Sequence, residues 1–185
     1  LAAAVCLVGL PVAAHAQSTQ TGTLDTKHFI PPFYAVSGLS SGFIGTQYLS
    51  LATPESGNVT VNITNASGSI NENVVISRVA PAIINVSTAP YGSAYYGALG
   101  VVDDNGLNQV NTSDGLILTA DKPFYASSRQ KNGSQAETLT AKGQSALGMR
   151  FRSGHIYNND ISEGSDSVRG HFIAVMAAED NTVVT

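Results

Sequence analysis

The chain has 185 residues, of which 43% are hydrophobic and 12% charged, and its formal net charge is -4. So sparse and acidic a charge balance offers no broad electrostatic basis for holding nucleic acid, and none is expected as a partner. The one cysteine, Cys6, lies in the apolar leader, so the remainder is expected to fold without disulfides and has no cysteine to offer a metal.

Residues 1–16 read as the tail of a cleaved secretory signal: an apolar run, Pro11, then Ala14-His15-Ala16 before Gln17. Val5 stands where a lipoprotein signal would want a small residue before Cys6, so an ordinary cleaved signal is expected and not a lipid anchor. Cleavage after Ala16 would leave 185 minus 16, or 169, residues, enough for one sizeable core. No later stretch approaches the roughly 18 apolar residues of a membrane helix, so nothing beyond the leader is expected to span a bilayer. Residues 17–26 are small and polar and suit a flexible leader, and residues 27–185 are expected to form one β domain.

In chain order, Lys27 to Phe33 begins the structured part, and Pro31-Pro32 stiffens it into an edge or lead-in segment. Phe43 to Ala52 reads as strand. Asn58 to Thr64 alternates strictly, with Val59, Val61 and Ile63 on one face, the period of a half-buried strand. Val74–Val79, Ile83–Val86, Leu116–Thr119 and Phe124–Ser127 add short apolar runs, with Lys122-Pro123 read as a lead-in to the last. Leu147, Met149 and Phe151 alternate with Arg150 and Arg152 as a two-faced strand should. Phe172–Ala178, apolar on both faces, is expected to be a central buried strand. Turn clusters such as Pro54-Glu55-Ser56-Gly57 and Asp103-Asp104-Asn105-Gly106 punctuate these runs, and no amphipathic helix stands out. The fold class expected is all-β, an antiparallel β-sandwich.

The last residues read as an acidic turn and a return strand that stops at Thr185, so the domain is expected to be incomplete at its C-terminus, with an unpaired edge at Val183–Thr185. Tyr48–Thr60 and Phe172–Val184 share the order apolar strand, acidic turn, Val/Thr strand. At a spacing of 124 residues (172 minus 48), two related sandwich modules in tandem, the second truncated, would account for the echo.

Chemistry-bearing patterns are few. Gly38-Leu39-Ser40-Ser41-Gly42 matches a nucleophile elbow, but a strand reading and no helix follows it. His155 is the loop histidine a hydrolase would need; His28 precedes the stiff Pro31-Pro32 segment and His171 opens an expected buried strand. There is no C-x-x-C or H-E-x-x-H, and Asp103–Gly106 fits a hairpin turn better than a calcium loop, so no metal and no cofactor is expected. The candidate binding residues are Tyr91, Tyr95 and Tyr96, whose rings could stack on a sugar or a partner surface, and Arg150 and Arg152, which could grip an anionic group. The blander readings are tyrosines that anchor a loop and a basic face neutralised by the acidic C-terminal stretch.

Lys27–Phe33, Leu116–Phe124 and the Phe172–Thr185 segment, in that order, resemble the IgGFc-binding-protein N-terminal domain, in the form found on secreted surface proteins of gliding bacteria that use the type IX secretion pathway. The likeness runs from about Lys27 to Thr185. It implies a large exported bacterial protein connected with the cell surface, adhesion or gliding motility, and it carries no catalytic residues. The expectation is therefore a binding module and not an enzyme, exported to the cell surface, with an unknown surface glycan or protein as partner. The alternatives are a secreted hydrolase of glycans or esters and a purely structural spacer.

Overall fold

A computed structural model of the chain describes residues 22–32, 46–91, 110, 112–132, 135–152, 174–179 and 181–184. Its elements are β1 (Asp25–Ile30), β2 (Thr46–Ala52), β3 (Val59–Thr64), β4 (Asn71–Ile76), β5 (Ala82–Asn85), β6 (Leu116–Asn132), β7 (Gln135–Thr140) and one turn of 3-10 helix, Gly143–Ala146. The strands form a single seven-stranded antiparallel sheet, curled like half a barrel. Among the described residues there is no α-helix, as the absence of an apolar 3.6-residue period predicts.

The spine is β6, whose 17 residues serve two sets of neighbours. Its first half pairs with β1, His28 opposite Leu118 and Ile30 opposite Leu116, and with β3, Ile63 opposite Leu118. Its second half pairs with β2, Leu49 opposite Ser128, and with β7, Ser127 opposite Thr140. β2 and β3 run in the same sense along β6, joined by residues 53–58; β5 and β4 lie outside them in turn. The breaks between β2 and β3 and between β4 and β5 fall level with residues 121–124 of β6, where the pairing with β1 also slips between Asp25 and Lys27. Ladders interrupted side by side let a sheet turn a corner.

Lys122-Pro123 sits at that corner. The sequence reads Leu116–Thr119 and Phe124–Ser127 as two strands separated by a proline, yet the chain passes through as one. Proline is tolerated because the ladder is already broken there, and side chains supply the missing donors. Thr53 Oγ1 donates to the Pro123 carbonyl at 2.8 Å, and His28 Nε2 lies 2.8 Å from the Phe124 carbonyl, which can only accept.

The core lines one face of the sheet. Alternation buries Leu49 and Leu51 on β2, Val59, Val61 and Ile63 on β3, Leu116, Leu118, Phe124 and Ala126 on β6 and Ile30 on β1. At about 1.5–3 kcal/mol for each large aliphatic or aromatic side chain removed from water, this stripe is the main source of stability. His28, Gln47 and Ser128 share the buried face. Asn65 staples the β3–β4 turn to the approach of β6: its Oδ1 accepts from the Ile70 N–H (3.0 Å) and its Nδ2 donates to the Ser113 carbonyl (2.8 Å).

Two expected strands do not appear among the described residues. Leu147–Arg152 has no strand partner, and Leu147, Met149 and Phe151 are 49%, 100% and 69% exposed. Of the run expected to be a buried central strand, residues 174–178 are unpaired, with Val175 exposed, while Phe172 and Ile173 lie outside the described residues. A two-sided or apolar pattern marks which faces a strand could bury, but a strand exists only where a neighbour accepts its backbone bonds. The turn chemistry does appear: Asn181 has φ 59 and Thr182 Oγ1 donates to the Glu179 carbonyl at 2.7 Å. Among the described residues 174–179 and 181–184 no strand flanks that turn, and Phe172, Ile173 and Asp180 lie outside them.

Candidate functional site

The outer face of the second half of the sheet carries side chains from four strands. Because registers are antiparallel and unbroken there, residues opposite one another stand in rows. Ile83, Ser50, Ser127 and Thr140 form one row, through the pairs Ser50–Ile83, Ser50–Ser127 and Ser127–Thr140. The next outward-facing row on one side is Asn85, Tyr48, Arg129 and Thr138; on the other, Ala52 stands opposite Tyr125. Both β2 and β6 repeat the same order outward, Tyr48-x-Ser50-x-Ala52 and Tyr125-x-Ser127-x-Arg129-x-Lys131.

Small side chains between large ones make a shallow depression. Ser50, Ala52, Ser127 and Thr140 line a groove of about 310 Å³ together with Pro81, Ile83 and Tyr125. Ile83 is 76% exposed and Tyr125 42%, although both are large enough to have been drawn into a core had one covered this face. The hydroxyls of Ser50, Ser127, Thr140, Tyr48 and Tyr125 donate to no protein group among the described residues. Arg129 and Lys131 are exposed further along β6 and have no ion-pair partner among the described residues. No carboxylate of β2, β5 or the second half of β6 faces this side. The arrangement can stack, donate and accept hydrogen bonds, and attract an anion; it presents no nucleophile paired with a base.

The residues singled out from sequence lie elsewhere. Tyr91 is buried at the edge of the core, its N–H donating to the Thr88 carbonyl at 2.9 Å. Burial, and then the nearby charge of Glu72, raise its phenol above the ordinary tyrosine range. Arg150 and Arg152 are exposed on the unpaired segment after the 3-10 turn. Tyr95, Tyr96, Ser40, His155, His171 and Asp103–Gly106 lie outside the described residues. His28 is fully buried, edge-on to Phe124 with ring centroids 4.7 Å apart. Among the described residues no group of three or more His, Cys, Asp or Glu side chains could hold a metal, and no helix is long and apolar enough to cross a membrane. Sequence reasoning passed over Tyr48, Ser50, Tyr125, Ser127 and Arg129, although their shared Tyr-x-Ser alternation is visible once two strands are laid side by side.

No family model matches the chain, and no curated protein matches it. Among solved structures, the Crystal Structure of Thermotoga maritima 1070 aligns over 67% of this chain and 95% of that one, at 11% identity and a TM-score of 0.31. A likeness that low informs neither fold nor function.

Proposed function

We propose that the chain is an exported β module of a bacterial cell-surface protein that serves adhesion or gliding motility by binding and not by catalysis. The observation that carries this reading is the pairing of two of its three motif segments. Lys27–Ile30 and Leu116–Thr119, which carry the resemblance to the IgGFc-binding-protein N-terminal domain, are hydrogen-bonded neighbours in one ladder, Phe29 opposite Ile117. They stand behind a leader with the features of a cleaved export signal. On this reading the curled sheet is the frame of a β-sandwich module, held by burial without disulfides, and its outer face is the surface left for a glycan or protein partner.

The test is location followed by loss of function. Cell fractionation and surface labelling of the source organism should find the chain outside the cytoplasm with Gln17 as its first residue. Deleting it should reduce attachment or gliding while leaving growth unchanged. Cytoplasmic retention with residues 1–16 still attached would overturn the reading. An esterase or glycosidase activity abolished by Ser40→Ala would favour the hydrolase instead.

A further inference from the structure

We propose that the outer groove on β2, β5, β6 and β7 binds an acidic polysaccharide, stacking a sugar ring on Tyr125 and holding a carboxylate with Arg129 and Lys131. The proposal rests on the binding-module reading above and names the ligand class of that surface.

Three features of the face select this occupant. The first is its orientation. The groove crosses strands on the face of the sheet, so a ligand there meets side chains and not the backbone edge. An extended peptide adding to a sheet needs that edge for its main-chain bonds, whereas a sugar chain is recognised by hydroxyl and aromatic side chains. The second is the chemistry of the row. Ser50, Ser127 and Thr140 set three hydroxyls in line across adjacent strands, unclaimed by protein groups among the described residues. Each can donate and accept, which matches the hydroxyls of a pyranose. Tyr125, beside the row and 42% exposed, offers an aromatic face.

The third is charge. Arg129 and Lys131 follow Tyr125 and Ser127 on the same face of β6, exposed and without ion-pair partners among the described residues. At about 3.3 Å per residue, the Arg129 position lies about 13 Å along the strand from Tyr125, a span that one short oligosaccharide covers. Arg129 stands opposite Tyr48 in the ladder, and a planar guanidinium so placed is suited to a carboxylate. Against the chain's net charge of -4, two exposed cations close together on one strand face are the more notable. Nucleic acid would need more cations than these two for its backbone.

The test is titration of the whole chain with tetragalacturonate, and with maltotetraose as the neutral control, by calorimetry or by chemical-shift perturbation. Saturable binding of tetragalacturonate that weakens with added salt, with little or none of maltotetraose, is expected. Arg129→Gln should weaken it about tenfold, the loss of one charge-assisted hydrogen bond. Tyr125→Ala should weaken it comparably. Both residues are exposed, so circular dichroism should show the fold unchanged. Absence of saturable binding, equal binding of maltotetraose, or tetragalacturonate binding indifferent to both substitutions would overturn the proposal. Surface location and attachment are measured separately, so an adhesive surface protein that ignores tetragalacturonate would remove this inference while leaving the binding-module reading in place.

Discussion

The carboxylate of Asp25, at the start of β1, is bound by both nitrogens of Gln144 in the 3-10 turn that follows β7. The Gln144 N–H donates to Oδ2 at 2.7 Å and its Nε2 to Oδ1 at 3.0 Å, while the Thr26 N–H takes Oδ1 at 2.7 Å. β1 and β7 both pair with β6, but 119 residues separate Asp25 from Gln144. Their union closes the sheet beside the corner, where the β1 ladder slips and strand hydrogen bonds alone leave a gap.

Asp25 should make stability depend on pH. Burial pushes its carboxyl up, but the side-chain and backbone donors of Gln144 and the N–H groups of Thr26 and Lys27 outweigh that and hold it below the ordinary aspartate value. A carboxylate with a lowered folded-state pKa stabilises fully above its unfolded value, about 3.9, and loses that contribution as pH falls through the folded value. Asp25→Asn should therefore cost about 1–3 kcal/mol at pH 7. The deficit relative to the parent should shrink below about pH 4. Urea unfolding at pH 7 and pH 3 measures it, and a pH-independent difference would contradict this account.

Gly143 is tied to the same carboxylate. It has φ +58, and a Cβ built there would meet the Asp25 side chain, 2.5 Å from Oδ2 and 2.8 Å from Cγ. Gly143→Ala should thus cost the left-handed backbone penalty of about 1 kcal/mol plus the displacement of Asp25, about 2–4 kcal/mol in all. In an Asp25→Gly background only the backbone part should remain. A double-mutant cycle showing no coupling would mean that the turn relaxes away from β1.

The strand alternation made β3 readable, because Val59, Val61 and Ile63 need only their own face to be recognised. The single strand β6 was hidden by Pro123, whose tolerance depends on Thr53 and His28 arriving from distant segments. Leu147–Arg152 shows the converse: an equally clean alternation with no neighbour to pair it. The outer groove was illegible for a related reason. Its rows are assembled from registers among four strands, and no single segment contains them.

His28 should tolerate a ring better than truncation. Its Nε2–H serves the Phe124 carbonyl and its ring packs edge-on against Phe124, while Nδ1 is buried without a partner among the described residues. His28→Phe keeps a ring and removes the unpartnered nitrogen but leaves the Phe124 carbonyl without this donor, so it should cost about 1–2 kcal/mol. His28→Ala leaves both a cavity and an unsatisfied carbonyl, about 3 kcal/mol. Equal losses in denaturant melts would show that the ring contributes no packing.

Gln47 and Ser128 should be stabilised by losing polarity. Both are fully buried on the core face, and Gln47 Nε2, Gln47 Oε1 and Ser128 Oγ have no hydrogen-bond partner among the described residues. The backbone of Gln47 is independently held: its N–H donates to Ser87 Oγ at 2.6 Å and its carbonyl accepts from the Val86 N–H at 2.9 Å. A side-chain change there leaves those bonds intact. A buried amide without partners costs about 1–3 kcal/mol relative to an apolar group of the same shape. Gln47→Met, close in volume and unbranched, should therefore raise stability by about 1–2 kcal/mol, and Ser128→Ala by up to about 1 kcal/mol. Leu49 lies opposite Ser128 in the ladder, making Ser128 a diagonal neighbour of Gln47, so the double variant tests whether the two groups interact. Additive gains in guanidinium melts would identify two independent orphans. A loss on either substitution would show that the amide and the hydroxyl are satisfied in solution, by each other or by a buried water.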